Sequence, residues 1–116
     1  MVKILIVDDS AFERDVIRKY LAIGGFTDVI EAENGEGALR KYNKENPDLI
    51  LLDMILPDGH GSDLVKKFSD VKVIIISIVN DKRVIEKCLN NGAVGYLLKP
   101  IKESSFLNEI RKVLGK

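Results

Sequence analysis

The sequence predicts an α/β fold in which five βα units build a parallel sheet covered by helices on both faces. Three observations carry that expectation. Short apolar runs alternate with amphipathic stretches along the whole chain. Three of those runs, around Leu5, Leu51 and Ile75, are apolar on both faces, which suits a sheet buried on either side. Glycine, asparagine and proline punctuate the segments, as at Gly24-Gly25, Asn46-Pro47 and Gly92.

Residues 2–7 read as a buried strand. Ser10 then caps a helix reaching Ile23, with Glu13 three residues later in a capping-box pattern. Phe12, Val16 and Tyr20 lie four apart and are expected on its inward face. Residues 28–32 form a second, short strand. Asn34-Gly35 opens a helix carrying Ala38, Leu39 and Tyr42, and Asn46-Pro47 closes it. Residues 48–53 form the third strand, with Leu49, Ile50, Leu51 and Leu52 at its centre. Residues 62–69 have room for only about two helical turns. Residues 71–77 make the fourth strand. Residues 81–91 form a helix with Val84, Ile85, Cys88 and Leu89 turned inward, stopped by Gly92. Residues 94–98 are the fifth strand, and Phe106, Leu107, Ile110, Val113 and Leu114 mark a final helix.

With 116 residues the chain fits one domain, residues 1–116, with a core of its own. Lys and Arg total 18, as do Asp and Glu, so charge gives no reason to expect direct contact with nucleic acid or membrane. The longest apolar runs, such as Val73-Ile74-Ile75-Ile76, are far too short to span a bilayer. No signal peptide is expected ahead of the first strand. A single cysteine, Cys88, rules out an internal disulfide, and a cytoplasmic location is the simplest expectation.

In open α/β sheets, ligands collect beyond the carboxyl ends of the strands. Asp8-Asp9 follow the first strand, Asp53 ends the third, Ser77 ends the fourth, and Lys99-Pro100 follow the fifth. Crowded carboxylates repel one another unless a cation shares their site. Donors that are all oxygen suit a hard divalent ion such as Mg²⁺. A carboxylate can also act as a nucleophile toward phosphorus. A bound cation and Lys99 would offset the charge of the phosphoryl group, and the Ser77 hydroxyl could donate to one of its oxygens. Each residue taken singly has a plainer explanation. Asp9 could cap a helix and Asp53 could sit in a turn. Ser77 could be an ordinary strand-end serine, Tyr96 an exposed edge aromatic, Cys88 a small core residue and His60 a solvated loop side chain. The convergence of Asp8, Asp9, Asp53, Ser77 and Lys99 on one edge favours the chemical reading for those residues, while Cys88 and His60 keep the plainer one.

With the Asp8-Asp9 pair, Asp53 followed by Pro57 and Gly61, Ser77, and Tyr96 three residues before Lys99-Pro100, the chain resembles end to end the receiver domains of two-component response regulators. The resemblance implies a doubly wound, flavodoxin-like (βα)5 fold with strand order 2-1-3-4-5. It implies that Asp53 accepts a phosphoryl group from a histidine kinase or phosphotransfer protein. Asp9, Asp53 and the backbone carbonyl of Ile55 then correspond to the direct Mg²⁺ ligands, with Asp8 helping through water. Lys99 corresponds to the lysine that pairs with the phosphoryl group, and its bond to Pro100 is commonly cis in the family. Ser77 and Tyr96 correspond to a switch pair, the hydroxyl moving to the phosphate and the ring turning inward behind it. The helix over 81–91, the strand bearing Tyr96 and the final helix correspond to the surface that meets a downstream protein.

Some positions depart from the family pattern. His60 stands where an acidic or amide residue usually precedes Gly61, and the stretch over 61–77 is several residues shorter than is typical. Ile55 and Val79 are apolar where the family's side chains influence phosphoryl hydrolysis, so a long-lived aspartyl phosphate is expected. Two other functions compete. A pseudo-receiver would keep the fold and bind proteins without phosphorylation. A small Mg²⁺-dependent phosphatase would want a second Asp two residues after the nucleophile, where Ile55 stands. No enzymatic turnover is expected beyond the domain's own phosphorylation and dephosphorylation.

Overall fold

The computed structural model describes residues 1–116. One parallel sheet contains β1 (Lys3–Val7), β2 (Asp28–Ala32), β3 (Leu49–Leu52), β4 (Lys72–Ser77) and β5 (Gly95–Leu98), in the order β2-β1-β3-β4-β5. Register aligns Val7 with both Ala32 and Leu52, Leu52 with Ile75, and Ser77 with Leu98. The chain moves outward from β1 to β2, then crosses back to β3. Strand order therefore reverses between β1 and β3, which opens a crevice beyond their carboxyl ends.

The helices are α1 (Ala11–Ile23), α2 (Gly35–Glu45), α3 (Gly61–Leu64), α4 (Lys82–Asn90) and α5 (Glu103–Leu114). Their starts are set by short polar side chains. Ser10 accepts from the Glu13 N–H, Asn34 from the Gly37 N–H, and Asp81 from the N–H groups of Arg83 and Val84. α3 passes directly into a 3₁₀ turn, Val65–Lys67, so the short third helical segment read from the sequence is present.

The period of two along each strand divides the core. Ile4, Ile6, Leu49, Leu51, Ile74 and Ile76 pack under α1 and α5. Leu5, Val7, Ile50, Leu52, Val73 and Ile75 pack under α2, α3 and α4. Strands β1, β3 and β4 are thus apolar on both faces because both faces are covered.

Two expectations about helix faces fail. Phe12 is 74% exposed, while Ile17 and Leu21 are buried and Arg14 is held among them. A helix with two adjoining apolar stripes leaves the choice to docking, and α1 docks one step round from the Phe12–Val16–Tyr20 line. Val16 and Tyr20 sit at the border, half-buried. Leu89 is 44% exposed rather than inward. α4 meets the sheet along a narrow strip whose one fully buried side chain is Cys88.

Candidate functional site

The sheet itself delivers the charged groups. Beyond the last paired residue of three strands, one further backbone bond holds a site residue in line. The Asp8 N–H donates to Ala32 O at 3.1 Å, Asp53 to Val7 O at 2.9 Å, and Lys99 to Ser77 O at 2.9 Å. Side chains mounted this way are held more closely than side chains on free loops.

They converge as the sequence suggested. Lys99 Nζ stands 2.9 Å from Asp8 Oδ2 and 3.2 Å from Asp53 Oδ2. One carboxylate oxygen from each of Asp8, Asp9 and Asp53 lies within 4.8 Å of the others. Asp8 is buried and Asp9 exposed, with Asp53 between them in depth. Asp8 is the most tightly held. Its Oδ1 accepts from the Ser10 N–H at 2.9 Å, and its backbone carbonyl accepts from Arg14 at 2.6 Å. The Arg14 guanidinium also pairs with Glu31 on β2 at 2.8 Å.

Burial lifts the Asp53 carboxyl above its ordinary 3.8; Lys99 opposes that rise and the neighbouring Asp8 charge adds to it. Burial alone would lower Lys99, but its hydrogen bond to Asp8 and the charges of Asp53 and Asp8 outweigh that and raise it above 10.5. Three carboxylates thus face one ammonium. The donors are oxygen only and the cluster is over-charged, so its chemistry fits a hard divalent cation.

The loop after Asp53 is a tight hairpin, in which Ile55 and Leu56 pair with His60 and Gly59. His60 is therefore a hairpin residue, exposed and opposite Ile55, and the unusual residue at that position leaves the turn intact. The Gly61 N–H donates to Met54 O at 2.6 Å. A Cβ at Gly61 would stand 2.4 Å from Asp53 O, so this position tolerates no side chain without moving the Asp53 backbone. The Lys99–Pro100 bond is cis, as the resemblance implied.

Ser77 is fully buried, and its Oγ accepts from the Val79 N–H at 3.1 Å. The Tyr96 hydroxyl donates to Val79 O at 2.6 Å. The two switch candidates thus grip opposite ends of one residue. Tyr96 is not a free edge aromatic; it is half-buried, turned inward, and packed against the α2–α4 core.

Sequence reasoning missed three contacts near this site. Arg14 had a local signal, a charge at the spacing of Ile17 and Leu21 on the same stripe. The contact of Met54 with Cys88, 3.7 Å between sulfurs, had none. Nor did the Asp58 carboxylate, which accepts from the N–H groups of Gly35 and Glu36.

Residues 4–111 match the model of the response regulator receiver domain. The chain belongs to that family. Among relatives, the chemotaxis protein CheY of Bacillus subtilis (strain 168) is 34% identical over 117 residues, covering 97% of this chain and 98% of that protein. The transcriptional regulatory protein DegU of Brevibacillus brevis is 34% identical over 117 residues, and the chain spans 50% of its length. The crystal structure of the CheX-CheY-BeF3-Mg+2 complex from Borrelia burgdorferi contains a similar chain. Its TM-score is 0.92 at 29% identity, covering 99% of this receiver domain and 90% of that chain. The receiver domain described here is accordingly a phosphoacceptor module of two-component signalling, on a flavodoxin-like sheet. No helix in it is long and apolar enough to cross a membrane.

Proposed function

We propose that Asp53 takes a phosphoryl group from a phosphohistidine donor and that the domain thereby changes the surface it offers to a protein partner. The observation that carries this reading is the Asp53 carboxylate, set beside two further acids with Lys99 Nζ at 3.2 Å. An Asp53 carboxylate oxygen attacks phosphorus, the P–N bond to the donor imidazole breaks, and that imidazole leaves with the bond's electron pair. Asp9, Asp53 and the Ile55 carbonyl would hold Mg²⁺, with Asp8 through water; when bound, the ion offsets charge on the phosphoryl oxygens. Lys99, already raised in pKa, stays protonated and pairs with the incoming group.

Charge on Asp53 then draws the Ser77 hydroxyl away from Val79, while Tyr96 keeps its hold on the Val79 carbonyl. Moving two states from 1:99 to 99:1 takes about 5.5 kcal/mol of differential stabilisation. Charge-assisted hydrogen bonds of roughly 1.5–3 kcal/mol each, made to Lys99 and Ser77 only after phosphorylation, are of that order. The partner-facing surface is α4, β5 and α5, in a cytoplasmic protein that acts as acceptor and switch rather than as a turnover enzyme. Ile55 lies exposed on the hairpin and Val79 half-buried behind Ser77; neither side chain can orient an attacking water, which favours a slow decay.

Incubation with acetyl phosphate and Mg²⁺ should add one phosphoryl mass to the intact protein, and Asp53→Asn should remove it. A protein that gains no adduct is a pseudo-receiver. Polar side chains introduced together at Ile55 and Val79 should shorten the adduct's half-life; an unchanged half-life would dispose of the slow-decay reading.

A further inference from the structure

The Asp53–Gly61 loop closes on itself through its hairpin and the Gly61–Met54 bond. Its tip reaches the rest of the protein by a single polar tether. Asp58 Oδ1 accepts from the Gly35 N–H at 2.8 Å and Oδ2 from the Glu36 N–H at 3.0 Å. These are the first two amides of α2, which the helix cannot pair internally. The third, Gly37, is taken by Asn34 Oδ1 at 2.7 Å. Two side chains of different origin therefore take up three amides at one helix end: Asn34 from the adjoining turn, Asp58 from the phosphoacceptor loop.

A Cβ at Gly35 would stand 3.2 Å from Asp58 Oδ1, close enough to press the carboxylate back by a few tenths of an ångström. The two amides also hold the Asp58 carboxyl below its ordinary 3.8, so it is charged and accepting at neutral pH. α2 is tied in turn to the acid pair. Gly35 lies three residues after Ala32, whose carbonyl accepts the Asp8 N–H. The path from Asp8 through Ala32, Gly35 and Asp58 back to Ile55 and Asp53 forms a closed circuit of covalent chain and hydrogen bonds.

We propose that Asp58 is a positioning residue, fixing the Ile55 carbonyl and Asp53 against the Asp8-Asp9 pair by tying the loop tip to α2. The inference rests on Ile55 O being a cation ligand. Asp58 touches neither phosphoryl group nor cation; it sets the distance between the two halves of the donor set. Groups that orient a ligand from outside typically matter about 10–100-fold in metal affinity.

The test compares Asp58→Ala with Asn34→Ala by Mg²⁺ titration calorimetry and by amide hydrogen exchange without the ion. Each variant strips a cap from the same helix end, but only the first releases the loop. Asp58→Ala should weaken Mg²⁺ about tenfold and speed exchange at Gly61, with Asn34→Ala close to wild type in both. Asp58→Asn, which keeps one acceptor oxygen, should fall between. Equal weakening in the two alanine variants would reduce Asp58 to a helix cap, and wild-type affinity in Asp58→Ala would remove its role altogether. If the wild-type chain itself bound no Mg²⁺, the proposed function would fall and this inference with it.

Discussion

On one side of the sheet, α1 and α5, with 13 and 12 residues, bury Ile17, Leu21, Phe106, Leu107 and Ile110 against the strands. On the other side α4 has 9 residues and buries only Cys88, and α3 has 4. Both layers cover the same three apolar strands but reach their carboxyl ends differently: Arg14 of α1 grips the Asp8 carbonyl, while the second layer meets the loops after β3 and β4. Met54, directly after Asp53, meets Cys88, and Tyr96 reaches round to Val79. A helix held by one small buried side chain can move for little free energy, whereas one held by large interlocked residues cannot. The contrast therefore separates α1 and α5, anchored by large buried side chains, from α4, anchored by a single small one.

The heaviest blow to that contrast would be a mild Phe106→Ala. Phe106 is 1% exposed, and its truncation should cost about 3–5 kcal/mol in urea melts. Amide exchange tests the same contrast without mutation: α4 amides should open at a lower free energy than those of α1 and α5. Equal protection on both faces would abolish the distinction. Cys88→Ala, on the lighter face, should cost only about 1 kcal/mol, since one sulfur's worth of burial is lost.

A smaller effect sharpens the picture at the strand ends. The folded Asp53 carboxyl binds its proton more tightly than the unfolded one, so its charged form costs stability. That cost is absent well below the ordinary 3.8 and grows as pH rises through the elevated folded value. Asp53→Asn should accordingly raise the Tm of the cation-free protein at neutral pH, with the advantage fading in acid. The smallest change expected lies at α2. Asp58 is depressed by the Gly35 and Glu36 amides, so its contribution is present above 3.8 and lost as pH falls through the lower folded value. Protection of the Gly35 amide should fade over that acid window in the wild type and show no such step in Asp58→Ala.

Strand and helix order was legible because burial on both faces leaves unbroken apolar runs, as at Leu49–Leu52, and caps such as Ser10 and Asn34 are local signals. The site was legible for a related reason. In a parallel sheet every strand points its carboxyl end the same way, so Asp8, Asp53, Ser77 and Lys99 had to share one edge wherever the helices docked. The inward face of α1 was not legible, because Phe12 and Ile17 both begin acceptable stripes and only packing chooses between them. Asp58 was equally hidden: an acid in a Pro-Asp-Gly turn looks like any other.

What this chain's residues determined alone, then, was polarity and periodicity: five parallel strands, their buried faces, and the acids and lysine at their common end. Which stripe of α1 turned inward, how Met54 met Cys88, and how Asp58 found the start of α2 were left to the tertiary structure. The physical reason is reach. Periodicity and strand direction act between neighbours in sequence, while a 2.8 Å bond between Asp58 and Gly35 depends on placing two separate elements to a fraction of an ångström.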